Sequence, residues 1–255
     1  MGIVPDPVCN TGKMLETHFG AHQGWPHQDL IGYTEQFQPA MALAAYRCGV
    51  FPMPLEVEGF EEAMGWWSPL RRAGLAPEEL RVTRSMRKSA RRYTTTVDVH
   101  FAGVLAACAD PDRDGRWIDE RIETVYAALH HSGYVHSVET WDAEGRLVGG
   151  LYAIHQHGLV AGESMFHHPE LGRDASKVAL MRLVVEMRRI GARLLDVQWL
   201  TPHLESLGAR EVPRREYLRM LSRALDVPHN NAWNSGASLS GEELLEQLDE
   251  RSDHA

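Results

Sequence analysis

The spacing of apolar residues changes along the chain, and each change marks a different element. Pro39-Ala40-Met41-Ala42-Leu43-Ala44-Ala45-Tyr46-Arg47 predicts a short helix stopped by Cys48-Gly49. Phe51-Pro52-Met53-Pro54 holds too much proline for a regular element, and Gly65–Leu75 (GWWSPLRRAGL) predicts a short strand with turn residues inside it. Leu80–Thr83 and Tyr93–Asp98 are rich in β-branched residues and predict strands. Helices are expected around Phe101–Ala109 and over Ile118–His131, where Ile118, Ile122, Val125 and Leu129 share one face. Strands follow at Val135–Trp141, Arg146–His155 and Leu159–Phe166. Turns at Asp142–Gly145 and Gln156–Gly158 make them an antiparallel meander. A helix begins near Asp174 or Ala175, carries a stripe from Val178 to Met187 and ends at Gly191. Leu194–Trp199 predicts a further strand and Tyr217–Leu225 a late helix.

This order matches an acetyltransferase-like α+β fold, with a central mostly antiparallel sheet flanked by helices. The expected division is a small N-terminal domain over residues 1–80 and a catalytic domain over residues 81–255, with an acidic, disordered tail from about residue 237. Acetyltransferase-like folds usually hold the pyrophosphate of coenzyme A on a Gly-rich loop before the helix that follows the meander. Here that loop reads HHPELGRDASK and holds a single glycine. The scaffold alone therefore does not supply the function.

One position inside the meander stands out. Gly158-Leu159-Val160-Ala161 is an apolar run leading straight into Gly162-Glu163-Ser164. Glu163 thus stands at the inner end of a buried strand, where a charge is costly unless paired or used.

Composition narrows the class. Of the 255 residues 44% are hydrophobic and 24% charged, as in ordinary globular chains. No apolar run approaches the roughly 18 residues of a membrane-spanning helix, and the N-terminus lacks the order of a signal peptide, so the cytoplasm is expected. Cys9, Cys48 and Cys108 are far apart and form no CxxC, which predicts free thiols. Fourteen histidines include no HExxH, so no metal is expected. Net charge is −9, yet Arg81, Arg84, Arg87, Lys88, Arg91 and Arg92 cluster without an acid among them. A basic patch on an acidic protein predicts a localised phosphate contact.

The segments YRCGVFPMP, GWWSP, SMRKSARR, GRWID, GYVHSVETW, LVGGLYAI, AGESMF, ASKVAL, LLDVQW and HLESLGAREVPRREYL occur in that order between Tyr46 and Leu218. Together they closely resemble the bacterial leucyl/phenylalanyl-tRNA–protein transferases. The resemblance implies an enzyme that moves leucine or phenylalanine from charged tRNA to the N-terminal Lys or Arg of a protein, marking that protein for degradation. It implies no cofactor, no coenzyme A and no membrane partner.

Such a reaction is attack of an α-amine on an ester that is already activated, so no covalent nucleophile is needed. The amine has a pKa near ~7.7–8.0 and loses its proton with little help. Orientation of the two substrates can provide roughly 7–11 kcal/mol. The resemblance makes Asp196 and Gln198, two apart on one strand, the pair that polarises the amine. Asp196 is expected to orient the Gln198 amide, with Gln198 nearest the chemistry. It places Glu163 beside the pocket, used rather than merely paired, and its role stays open between catalysis, substrate orientation and support. The amino-acid pocket is expected from Leu151, Val160, Gly162, Met165, Leu180, Leu183 and Met187. Family members often carry phenylalanine at the positions of Val160, Leu183 and Met187, so a recast pocket that also accepts methionine is an expectation. Trp66 and Trp117 are the expected adenosine platforms, with Trp67 in the core. The six basic residues from Arg81 to Arg92 match the family's tRNA-binding cluster. Thr201 stands where the family often has asparagine, and no role of that asparagine is carried over.

Two rivals remain at this point: an acyl-CoA-dependent N-acetyltransferase, and a non-catalytic tRNA-binding module. Transfer to acidic N-termini is disfavoured because the Glu163 and Asp196 carboxylates have the wrong sign for such an acceptor.

Overall fold

The computed structural model describes Phe19 and residues 22–59, 62–113 and 117–250. Residues 1–28 show no regular apolar pattern in the sequence and fall largely outside these residues, as does Cys9. The chain begins with β1 (Leu30–Thr34), α1 (Pro39–Cys48), β2 (Phe51–Pro54) and β3 (Met64–Trp67), and these three strands pair as an antiparallel sheet in the order β1-β3-β2. β2 corrects the expectation of an irregular Phe-Pro-Met-Pro segment. It lies at the sheet edge, where a missing proline N–H breaks no ladder bond.

β4 (Arg71–Leu75), α2 (Arg84–Ala90), β5 (Thr94–Val97), α3 (Phe101–Cys108) and α4 (Glu120–His131) follow. Next come β6 (Val135–Trp141), β7 (Leu147–Gln156), β8 (Leu159–His167) and α5 (Ala175–Ile190). The chain continues through β9 (Leu194–Gln198), α6 (Pro202–Ser206), β10 (Arg210–Pro213), α7 (Arg214–Leu225), β11 (Leu239–Ser240) and α8 (Gly241–Asp249). The larger sheet runs β10-β4-β9-β8-β7-β6-β5-β11, and its neighbours are antiparallel except β8 and β9, which are parallel. This is the expected α+β arrangement, a large, mostly antiparallel sheet flanked by helices. Gly65–Leu75 is thus not one strand but two, β3 and β4, which belong to different sheets.

Side chains alternate across the large sheet with the period of two that strands impose. Leu151, Ala153, Val160 and Leu195 face α5, α2 and α8. Tyr152, Ile154, Leu159, Ala161 and Leu194 face α1, α3, α4 and α7. α5 packs close to β7 because Gly149 lacks a side chain, and a Cβ there would lie 2.5 Å from Ala175 Cβ.

Two further expectations fail. Leu80–Thr83 forms no strand. Thr83 is instead the N-cap of α2, its hydroxyl accepting from Met86 N–H at 3.2 Å, the other use of a residue that favours strands. The acidic tail is ordered as α8 up to Asp249. A capping box of Ser240 and Glu243 starts it, and Leu244, Leu245 and Leu248 are buried against the core. Three leucines on one helical face outweigh the acidic composition of the other. The segment before α8 is fastened by the buried pair Arg182–Glu186 of α5. Arg182 donates to the Thr95 and Ala237 carbonyls, and Glu186 accepts from Asn234 N–H.

Candidate active site

β8 and β9 pair only from Leu159↔Leu194 to Ala161↔Asp196, and then they part. Each strand is bent at the parting. In β8 the register to β7 jumps from Ala153↔Gly162 to Tyr152↔Ser164, leaving Glu163 as the extra residue of a β-bulge. In β9 the Asp196 carboxylate accepts the main-chain N–H of Gln198 at 3.1 Å, an Asx-turn that ends the strand. Gln198 takes φ +57°, in the left-handed region that non-glycine residues rarely adopt. A cavity of about 360 Å³ opens between the strands. Gly162, Glu163, Ser164 and Met165 line it from β8, and Leu195, Val197, Gln198 and Trp199 from β9. Leu151, Leu180 and Leu183 complete the apolar wall, and Phe51, Pro52, Met53, Trp117, Thr201 and Leu204 also reach it. Its size and its apolar lining with few polar groups are those of a small-molecule site.

Glu163 is the half-buried acid of this cavity. Its Oε2 accepts from the Tyr46 hydroxyl at 2.6 Å and the Tyr126 hydroxyl at 3.0 Å, and the two hydroxyls lie 2.6 Å apart. Its Oε1 is buried without a partner among the described residues. Desolvation pushes the Glu163 carboxyl up to about 8, although the hydrogen bonds from Tyr46 and Tyr126 favour its charged form. A carboxyl raised in the folded state binds its proton more tightly there than in the unfolded chain. Its contribution to stability is therefore fully present below pH ~4.5 and is lost as pH rises toward 8. Glu163→Gln, which cannot ionise, is expected to match the parent protein's thermal stability at pH 4.5. At pH 8.5 it should melt several degrees higher, and a difference in Tm that does not grow with pH would contradict the shift.

The Asp196 carboxylate does not reach the Gln198 side-chain amide, as the sequence suggested, but its main chain. Its remaining capacity is filled by Arg72, Nε at 2.8 Å and Nη2 at 2.6 Å, and by the Tyr217 hydroxyl at 2.8 Å. With four donors on two oxygens it has no lone pair left for a substrate. Asp196 and Arg72 are both fully buried, and neither lines the cavity. Gln198 does line it, and its Nε2 is buried with no partner among the described residues. The left-handed turn explains why Gln198 does not share the face of Asp196 despite the two-residue spacing.

Of the seven residues expected in the pocket, Leu151, Gly162, Met165, Leu180 and Leu183 line it. Val160 and Met187 do not; both are fully buried core residues on the α5 face of the sheet. Trp117 lines the cavity as expected of an adenosine platform, whereas Trp66 does not. Trp66 is 2% exposed, packed by Phe19 and Phe37, and donates to Thr34 Oγ1 at 3.0 Å. β3 alternates as a strand should, but with the opposite phase to the one expected. Trp67 is the half-buried neighbour, set edge-on against Trp199 at 5.9 Å, and Trp199 lines the cavity. Phe51, Pro52, Met53 and Trp199 escaped sequence reasoning, although all four belong to segments that carry the family resemblance. Their signal was rigid or aromatic residues inside those segments.

The basic residues gather on and beside α2. Arg81, Arg84, Lys88, Arg91 and Arg92 are exposed. Among the described residues no hydrogen bond or ion pair holds the side chains of Arg81, Arg84, Lys88 or Arg91. Arg87 is engaged by both carboxylate oxygens of Asp249, at 2.6 and 2.8 Å, and Arg92 donates to Ser89 Oγ and the Arg173 carbonyl. Among the described residues no group of His, Cys, Asp and Glu could hold a metal ion, and no helix is long and apolar enough to cross a membrane.

The fold is a mixed α+β one, and its cleft couples an apolar pocket to a half-buried acid and an amide whose nitrogen is buried. The chain belongs to the leucyl/phenylalanyl-tRNA–protein transferase family. The family model of that description matches residues 75–222, and the model for its N-terminal domain matches residues 35–70. A leucyl/phenylalanyl-tRNA–protein transferase of Aromatoleum aromaticum is 45% identical over 192 residues, covering 74% of this chain and 78% of that protein. One of Afipia carboxidovorans is 42% identical over 197 residues, covering 76% and 84%. One of Stutzerimonas stutzeri is 43% identical over 210 residues, covering 81% and 89%. Among solved structures, a GCN5-related N-acetyltransferase from Sphaerobacter thermophilus is 13% identical with a TM-score of 0.34, covering 74% of this chain and 59% of that one.

Proposed function

We propose that this enzyme transfers leucine or phenylalanine, and also methionine, from charged tRNA to the N-terminal Lys or Arg of an acceptor protein. The observation that carries this reading is the parting of β8 and β9 over an apolar cavity holding two polar groups with unfilled hydrogen bonds, Glu163 and Gln198. The acceptor's α-amine attacks the ester carbonyl carbon. A C–N bond forms, the C–O bond to the terminal ribose breaks, and the amine proton leaves as the ribose hydroxyl forms. The Gln198 Nε2 donor is available to the ester oxygen, where negative charge develops. Glu163 Oε1 is available to the basic end of the acceptor or to its ammonium. Trp117 offers the adenine a stacking face, worth roughly 1–3 kcal/mol.

Coenzyme A is disfavoured as donor by the start of α5. Asp174 stands at the N-cap, its carboxylate turned to Lys177 Nζ at 2.7 Å and Ser89 Oγ at 2.8 Å rather than to the helix N–H groups, so a negative group stands beside the end of the helix that a pyrophosphate would seek. The single glycine of the preceding loop, Gly172, is packed so closely that a Cβ would lie 2.1 Å from the Val148 carbonyl oxygen. It serves the turn rather than a ligand.

Of the three positions where the family often has phenylalanine, only Leu183 borders the cavity, so donor choice falls chiefly on that residue. The deciding experiment is transfer of radiolabelled leucine, phenylalanine and methionine from charged tRNA to peptides starting with Arg, Lys or Asp. Label is expected on the Arg and Lys peptides from all three donors, and none on the Asp peptide. Loss of tRNA binding is a separate axis. Arg84→Ala combined with Lys88→Ala is expected to lower tRNA affinity and to reduce the slope of log K against log salt by about one for each phosphate no longer neutralised. An unchanged slope would remove α2 from the tRNA path. Should no peptide be labelled while tRNA still binds, the protein is a tRNA-binding module.

A further inference from the structure

We propose that Arg72 is a positioning residue for the transfer reaction, acting through Asp196 to hold Gln198 in the conformation that presents its amide to the pocket. This rests on the reading that Gln198 works there. Arg72 belongs to β4 and Asp196 to β9, neighbouring strands of the large sheet. The guanidinium donates to both carboxylate oxygens, Nε to Oδ1 at 2.8 Å and Nη2 to Oδ2 at 2.6 Å. The same Oδ1 accepts the Gln198 main-chain N–H. A bidentate pair fixes the plane of the carboxylate as well as its position. That plane decides where the Gln198 N–H must point, and so decides its φ of +57°.

The guanidinium is itself clamped. Its carbon lies 4.5 Å from the ring centre of Phe51 and 4.7 Å from that of Tyr217, and its Nη1 donates to the Gly49 carbonyl at 3.4 Å. Tyr217 closes the set with its hydroxyl on Asp196 Oδ2. Phe51 faces two ways in effect: it stacks on Arg72 and also borders the cavity. The path from Arg72 to the pocket is thus short, through Asp196 to Gln198.

The register gives a second, independent sign that β4 shapes this turn. β4 pairs with β9 as Gly74↔Asp196 and Ala73↔Gln198, with an irregularity between Ala73 and Gly74. The departure of β9 from regular extension occurs at the residue pair that Arg72 adjoins. The two guanidinium donors from β4 hold the buried carboxylate as a fixed acceptor. Lysine could supply the charge but not the two parallel N–H donors.

The test is a double-substitution cycle in the transfer assay, with kcat and both KM values measured for Arg72→Lys, Gln198→Ala and the pair. Arg72→Lys alone is expected to lower kcat about 100-fold, the scale of a small misplacement of a reacting group. Both KM values should move less than about threefold, since Arg72 itself lines neither the pocket nor the basic surface at α2. In the Gln198→Ala background the same change should lower kcat by less than about threefold more, because the group it positions is gone. A merely structural Arg72 would lower kcat by the same factor in both backgrounds, and that result overturns the proposal, as does full kcat in Arg72→Lys. Full kcat in Gln198→Ala would instead overturn the reading of Gln198 and the proposal with it. Should Arg72→Lys lose its native circular dichroism, Tyr217→Phe carries the same comparison, because it removes one hydroxyl and leaves the ion pair. Its expected loss is about tenfold alone and absent in the Gln198→Ala background.

Discussion

Gln198→Ala is expected to lower the turnover of peptide transfer about 100- to 1,000-fold, the range seen when one preorganised donor to a developing oxyanion is removed. Binding of uncharged tRNA should change less than twofold. The asymmetry follows from placement: Gln198 borders the cavity between β8 and β9, whereas the exposed basic residues lie on and beside α2. Its amide nitrogen is buried with no partner among the described residues, a standing penalty that a fold would normally remove. A substrate that fills this bond is the natural explanation. Single-turnover transfer beside filter binding of tRNA separates the two quantities. Equal losses in both would make Gln198 a binding residue, and unchanged transfer would end its role altogether.

Asp196→Ala has the largest expected effect on stability, a loss of about 3–5 kcal/mol. Removing the carboxylate leaves the Arg72 guanidinium fully buried with no counter-charge, and strips the Tyr217 hydroxyl and Gln198 N–H of their acceptor. Burial opposes the charge on Arg72, and the carboxylate more than offsets this, raising its pKa above the usual value. For a chain of this length the melting temperature should fall by roughly 6–20 °C. Calorimetry on the parent and the variant measures it. A drop of only a degree or two would mean that solvent reaches the pair.

These two expectations assign different work to residues that sequence spacing had joined. Asp-x-Gln on a strand predicts a shared face, and a shared face suggests that the acid orients the amide. The Asx-turn breaks that inference, because it rotates Gln198 into the left-handed region and away from the face of Asp196. Glu163 was more legible. A carboxylate at the end of an apolar run announces a costly group whatever the tertiary details, and it proves to be a bulge residue that borders the cavity with one oxygen unfilled. The three deeper surprises share a cause. Pairing partners of Phe51–Pro54, the phase of Trp66 and Trp67, and the packing of Leu244, Leu245 and Leu248 all depend on elements distant in sequence.

By itself the sequence determined the α+β class, the meander and its flanking helices, the family, and which residues are candidates for chemistry. Local periodicity and motif order are enough for that, since they are set by neighbours three or four positions away and by segments that recur together. Only the tertiary structure decided which apolar residues leave the core to line the cavity, which tryptophan reaches it, and that Arg72 and Tyr217 stand behind Asp196. Those outcomes depend on where β8 and β9 stop pairing and on what β4 and α7 bring to the gap. The Arg72–Asp196 pair joins residues more than a hundred positions apart, and no local pattern encodes such a pairing.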